Sequence, residues 1–246
     1  MMKLFTFKTL FFLLYNAFAA VMLVTSSIQP ASAQRRMDKL GRGMVAIHQT
    51  SGTVFVSWRL LATDPDGIAF NLYRITGSGT EVKLNTTPLT EGTNFTNTGV
   101  DITKSNTYFV KPVINNVEQT ASGSFTLPAN ATVKPYIGIP LKSIADGTYY
   151  VHHAWPGDLD GNGEYDFVAD RLPDGTPTGR TIKLDGYLID GTFKWQIDLG
   201  PNAIISDGHN DGATVYDLDG DGKAEIIVRT SEGTVFGDGT KIGDVN

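Results

Sequence analysis

The chain has 246 residues, 41% hydrophobic and 19% charged, enough to build one or two cored domains. Its formal net charge of −6 argues against a nucleic-acid partner, since such binding rests on basic clusters. There is no cysteine, which excludes thiol chemistry, cysteine-built zinc sites and a disulfide framework.

Residues 1–33 read as a secretory signal peptide. Lys3 and Lys8 form a positive n-region, Phe11 to Val24 is apolar, and Ala31-Ser32-Ala33 is a cleavage site. Asn16 interrupts the apolar run, and polar residues close it short of the ~20 residues that a membrane span needs. The mature chain is therefore expected to be secreted or periplasmic, with no membrane anchor after signal cleavage. Loss of Lys3 and Lys8 makes it more acidic still, though much of that acidity sits in two short loops.

Residues 37–131 read as an all-β module. Thr53 to Trp58 has strand composition, Phe70 to Arg74 alternates apolar and polar, and Asn106 to Val113 alternates again before an Asn115-Asn116 turn. About seven short strands with frequent turns predict a small sandwich. The pattern resembles a fibronectin-type-III-like domain, with Trp58 on an early strand and Tyr108 as its tyrosine corner. Such a domain also serves simply as a spacer.

Leu127 to Pro135 reads as a linker, after which Asp/Gly loops alternate with apolar strands. Gly157-Asp158-Leu159-Asp160-Gly161-Asn162-Gly163-Glu164-Tyr165-Asp166 recurs 59 residues later as Tyr216-Asp217-Leu218-Asp219-Gly220-Asp221-Gly222-Lys223-Ala224-Glu225. A repeat of that length, with a hairpin over Lys183 to Leu199 between its copies, predicts propeller blades. Residues 136–246 are thus expected to be the first blades of an incomplete β-propeller, because two blades cannot close a ring.

Both loops carry side-chain oxygens at positions 1, 3, 5 and 9, with glycines that let the backbone curl around them. Calcium takes six to eight hard oxygen ligands, one of them the carbonyl at position 7. The expected ligands are Asp158, Asp160, Asn162, the Glu164 carbonyl and Asp166, then Asp217, Asp219, Asp221, the Lys223 carbonyl and Glu225. An EF-hand is excluded, because position 12 is Ala169 or Val228 instead of Glu and strands follow each loop. A calcium ion here is expected to be structural, pinning a turn between strands.

Polar residues flank the loops. His152 and His153 precede the first, His209, Asn210 and Asp211 precede the second, and Asp170 and Arg171 follow the first strand after a loop. Their chemistry suits sugar binding or acid–base work, and equally suits support of the calcium loops.

With the linker Lys134-Pro135-Tyr136-Ile137-Gly138-Ile139-Pro140-Leu141, these features resemble the N-terminal part of bacterial rhamnogalacturonan endolyases, a calcium-rich eight-bladed propeller family. Val215 to Glu225 and Asp190 to Gly200 are especially similar. The resemblance implies cleavage of an acidic plant cell-wall polysaccharide, the rhamnogalacturonan backbone of pectin, by β-elimination at galacturonate. It assigns no catalytic base, and it implies that this fragment alone is inactive. Two departures concern substrate: His152 stands where the family carries Asn, and Leu172 where it carries Asp. His209 matches a family histidine.

Two alternatives remain open from the residues. A non-catalytic calcium-stabilised propeller for glycan binding or adhesion would carry Phe-Gly and Gly-Ala-Pro punctuation, which is absent. A glycoside hydrolase would need paired acids outside the loops, for which Asp170 and Asp211 are the candidates.

Overall fold

The computed structural model describes residues 38–175, 179–203 and 212–243. Residues 1–37, where the signal peptide is read, lie outside them, as do His209, Asn210 and Asp211. Among the described residues there is no helix, and the protein is all-β.

The first region contains β1 (Val45–Thr50), β2 (Thr53–Ser57), β3 (Ala69–Thr76), β4 (Val82–Lys83), β5 (Asn94–Asn97), β6 (Asn106–Ile114), β7 (Val117–Glu118) and β8 (Phe125–Leu127). They form two antiparallel sheets, β1-β2-β5 and β4-β3-β6-β7, with β8 joining β6. Alternation decides which face is buried. In β2, Val54 and Val56 point inward while Thr53, Phe55 and Ser57 stay partly exposed. The long β3–β6 ladder, from Ala69 opposite Val113 to Thr76 opposite Asn106, sets the register of the second sheet.

One core joins the two sheets. Val54, Val56 and Trp58 come from the first, and Phe70, Leu72, Tyr108 and Val110 from the second. Trp58 meets Phe70 edge-on at 5.6 Å. Tyr108 is fully buried, and its hydroxyl donates to the Asn97 side chain at 3.2 Å, linking β6 to β5 across the core. A tyrosine corner sends that bond to nearby backbone, so the inter-sheet link here is a different device. The β6–β7 turn matches the sequence reading: Asn115 and Asn116 both have positive φ, as a two-residue type I′ hairpin requires.

The second region holds β9 (Tyr149–Tyr150), β10 (Ala154–Gly157), β11 (Asp166–Pro173), β12 (Lys183–Tyr187), β13 (Phe193–Asp198), β14 (Thr214–Tyr216) and β15 (Glu225–Ile227). Strands β10 to β13 form an antiparallel meander in chain order, and β9 pairs with the end of β11. Strands β14 and β15 make a separate hairpin. Val235 then bridges to Asp198, covering part of the open edge of β13.

Val168, Leu184, Ile197, Leu199 and Ala213 form the second core, with Trp155, Trp195, Val215 and Ile226 packed around it. The hairpin docks closely on the meander. A Cβ at Gly157 would lie 2.4 Å from Val215 Cγ1, so only glycine lets β10 approach β14.

Candidate functional site

Each acidic loop leaves a strand, curls and enters the next, so its first and last carboxylates stand at strand ends. In the first loop, Asp158 accepts the backbone N–H groups of Gly161 at 2.7 Å, Asn162 at 3.1 Å and Gly163 at 2.6 Å. In the second, Asp217 accepts those of Gly220 at 2.6 Å and Gly222 at 3.0 Å. Gly161, Gly163, Gly220 and Gly222 all have positive φ, which is what turns the amides inward.

The ninth position closes both loops in the same way. Asp166 accepts from Leu159 N–H at 3.0 Å, and Glu225 accepts from Leu218 N–H at 2.8 Å. The sequence repeat is therefore also a repeat of hydrogen bonds. Asp166 makes one further bond, accepting from Ile189 N–H at 3.0 Å, which ties the first loop to the end of β12.

Carboxylate oxygens of Asp158, Asp160 and Asp166 lie within 4.8 Å of one another, as do those of Asp217, Asp219 and Glu225. Burial pushes the Asp166 carboxyl up to about 6; two backbone N–H bonds oppose this, and the charges of Asp160 and Asp158 add to it. Such a set of hard, like-charged oxygens fits a calcium-class cation, which would remove the mutual repulsion. Asn162 and Asp221 at position 5 turn their side-chain oxygens to the N–H groups of Glu164 and Lys223, at 2.7 and 2.8 Å.

The stretch ahead of β1 crosses both loops, a placement without any signal in the sequence pattern. Gly41 N–H donates to Gly163 carbonyl at 2.6 Å, and Lys39 Nζ donates to Gly220 carbonyl at 3.0 Å. The Glu164 side chain leaves its loop to pair with Arg59 at 3.0 Å, and Arg59 also lies 4.6 Å above the Tyr165 ring. Burial raises the Glu164 carboxyl above its usual range, while Arg59 and the Gly43 N–H hold it down. Asp38 is also raised, by burial and then by the Asp217 and Asp158 carboxylates, despite a backbone hydrogen bond at Asp217.

His152, His153 and Asp170 come together at the other end of β10. Asp170 is fully buried on β11, and its Oδ1 accepts the N–H groups of His152 at 2.7 Å and His153 at 2.8 Å. Its Oδ2 lies 3.2 Å from His153 Nδ1. The two imidazoles meet edge-on at 4.0 Å, and the Trp155 indole packs near-parallel to His153 at 5.6 Å.

Arg171 is placed elsewhere. Its Nη1 is bonded to Asp185 at 2.6 Å, to the Tyr187 hydroxyl at 3.2 Å and to the Lys142 carbonyl at 3.1 Å, inside a buried network. Tyr187 and Gln196 also donate to Asp185, at 2.8 and 2.7 Å. The guanidinium thus holds β11, β12 and the preceding linker together and presents little open surface. Leu172, next along β11, is buried as well.

Comparison with known proteins places these features in context. The family model described as the Rhamnogalacturonan I lyases beta-sheet domain matches residues 35–127, and that of the Rhamnogalacturonan lyase family 11, C-terminal domain, matches residues 136–246. The chain is 38% identical to rhamnogalacturonan endolyase YesW of Bacillus subtilis, over 92% of this chain and 37% of the relative. It is also 38% identical to rhamnogalacturonan exolyase YesX of the same organism, over 86% of this chain and 35% of the relative. The crystal structure of exotype rhamnogalacturonan lyase YesX superposes with a TM-score of 0.66 at 37% identity, covering 85% of this chain and 35% of that one. The chain therefore spans just over a third of the length of the curated relatives it matches.

Proposed function

Because the chain belongs to the rhamnogalacturonan lyase family, we propose that it is the N-terminal part of a secreted or periplasmic, calcium-stabilised lyase of pectin. The observation that carries this reading is the family likeness, which runs through both regions and includes the two acidic loops. The first region is then a fibronectin-type-III-like sandwich. The β10–β13 meander is a first propeller blade, and β14–β15 begins a second, as the 59-residue repeat supports.

The reaction is β-elimination at galacturonate. A base takes the proton on C5, beside the uronate carboxylate, the electron pair forms the C4–C5 double bond, and the C4 oxygen departs with its sugar. The carbanion-like state needs positive charge near that carboxylate. Bound calcium supplies charge that gathers the loop oxygens. The chain's own residues do the rest of the shaping. Asp158 and Asp217 organise the loop amides, and Asp166 fixes the first loop against β12. His152 and His153 offer polar contacts at the far end of β10. Arg171 is committed to Asp185 and organises the blade instead of the substrate. Identity to an endolyase and to an exolyase is equal, so the reading is a lyase of either mode.

Incubation with rhamnogalacturonan, followed by the ultraviolet absorbance of unsaturated products, tests this. The chain alone is expected to release none, while a protein that carries it together with further blades is expected to release them and to lose activity in a chelator. Products without the double bond would mean hydrolysis and would overturn the reading.

A further inference from the structure

Among the described residues three groups of side chains could hold a metal ion, and one of them has a different chemistry from the acidic loops. His152, His153 and Asp170 bring two imidazoles and one carboxylate together, with one ligand atom of each lying within 4.8 Å of the others. We propose that this trio binds a divalent transition-metal ion of the zinc class, separately from any calcium in the loops.

Charge is the first argument. The Asp170 side chain has no exposed surface, and among the described residues its carboxylate meets two backbone N–H groups and His153. Arg171, the next residue, is bonded to Asp185. A buried carboxylate needs a positive partner; His153 is one only when it carries a second proton, whereas a divalent cation at Oδ2 would be one without it.

Geometry is the second. Two backbone amides already hold Oδ1, so the carboxylate is fixed before any ligand arrives. The 3.2 Å between Oδ2 and His153 Nδ1 matches the ~3.3 Å between neighbouring ligands on a tetrahedral ion with bonds of about 2.0 Å. Clamping the turn through backbone amides does not require the two rings to converge, yet they meet at 4.0 Å, and a ring nitrogen of each lies within 4.8 Å of an Asp170 carboxylate oxygen. Trp155, packed on His153, steadies the ring that would carry the metal.

Ligand type is the third. Imidazole nitrogen selects zinc, copper or nickel over calcium, which prefers an all-oxygen set such as the loops offer. Each imidazole has two nitrogens, so one can bind metal while the other keeps a hydrogen bond. Three protein ligands leave a coordination position for water or an anionic oxygen.

The test uses this chain with excess calcium present, so that the carboxylate loops are occupied. Zinc is added in a calorimeter, and cobalt(II) is added in parallel and followed by its visible absorption. One equivalent is expected to bind in both experiments. His152→Asn and His153→Asn should each weaken binding by more than about tenfold, while calcium uptake stays as in the parent. Both histidines are at least partly exposed, so these variants are expected to fold, and the retained calcium uptake verifies it. No zinc uptake by the parent chain would overturn the proposal, as would undiminished uptake by either variant.

Discussion

The two regions solve the same problem, holding short strands together without disulfides, in opposite ways. The first buries a core of twelve side chains and neutralises its charges internally: Arg42 and Asp64 form a two-pronged pair at 2.5 and 2.6 Å. The second has a core cluster of five buried side chains and, beside its own Arg171–Asp185 and Lys183–Asp198 pairs, gathers carboxylates in two loops. A small core gives a small margin, since net stability is a slight excess over conformational entropy. The contrast teaches that the second region has more to gain from the cation proposed for its loops than the first, which has the larger core.

Removing calcium is the sharpest way to break this comparison. At a concentration a hundredfold above Kd, each loop that binds calcium as proposed would add about 2.7 kcal/mol. Scanning calorimetry in a chelator is expected to lower the transition of the second region and leave that of the first in place. Equal lowering of both would show that the regions unfold as one unit. Leu72→Ala, at a fully buried core position, probes the other side. It should cost about 2–5 kcal/mol in the first region and leave calcium affinity unchanged, as read by titration.

Acidity should separate the regions next, because the two key carboxyls shift in opposite directions. Asp64 is held below its usual range, chiefly by its bond to Arg42. Its stabilising contribution is present above the unfolded pKa of about 3.9 and is lost as pH falls through the folded value. Asp166 is raised to about 6 in the cation-free chain. Its contribution is present below the unfolded value and is lost as pH rises toward 6. In chelator, melting curves from pH 3 to pH 7 should therefore show the first region strengthening with pH and the second weakening. Calcium should reverse the second trend, since the loop carboxyls must lose their protons to bind it.

The smallest effect is expected at the seam. Arg59 and Glu164 are each about a quarter exposed, so Glu164→Gln should cost about 1 kcal/mol or less. Its signature is a wider gap between the two melting transitions in calcium, with the calcium stoichiometry unchanged.

What could be read from the sequence followed the range of the interactions. The loops are legible because the Asp158, Asp217, Leu159 and Leu218 contacts all fall within seven residues. The β3 and β6 strands and the Asn115–Asn116 turn are legible for the same local reason. Arg171 reads as an open polar residue because alternation normally gives a strand one wet face. However, β11 lies inside its sheet and is buried almost throughout, so alternation there separates Asp170 from Arg171 without exposing either. The Arg59–Glu164 pair spans 105 residues and has no local signature at all.

Residues 38–43 carry a consequence for how such proteins can be rearranged. By strand count they belong to the first region, yet Lys39 and Gly41 are bonded to loops of the second. Gly163 meets them so closely that a Cβ there would sit 2.8 Å from the Gly41 nitrogen. A chain cut at its first strand would keep nearly all of both hydrophobic cores and lose these bonds to the loops, leaving Arg59 on Glu164 and Tyr165. The two regions are therefore not interchangeable cassettes: a graft of the first onto another scaffold must bring this leading hexapeptide and Arg59, and must meet a loop shaped to receive them.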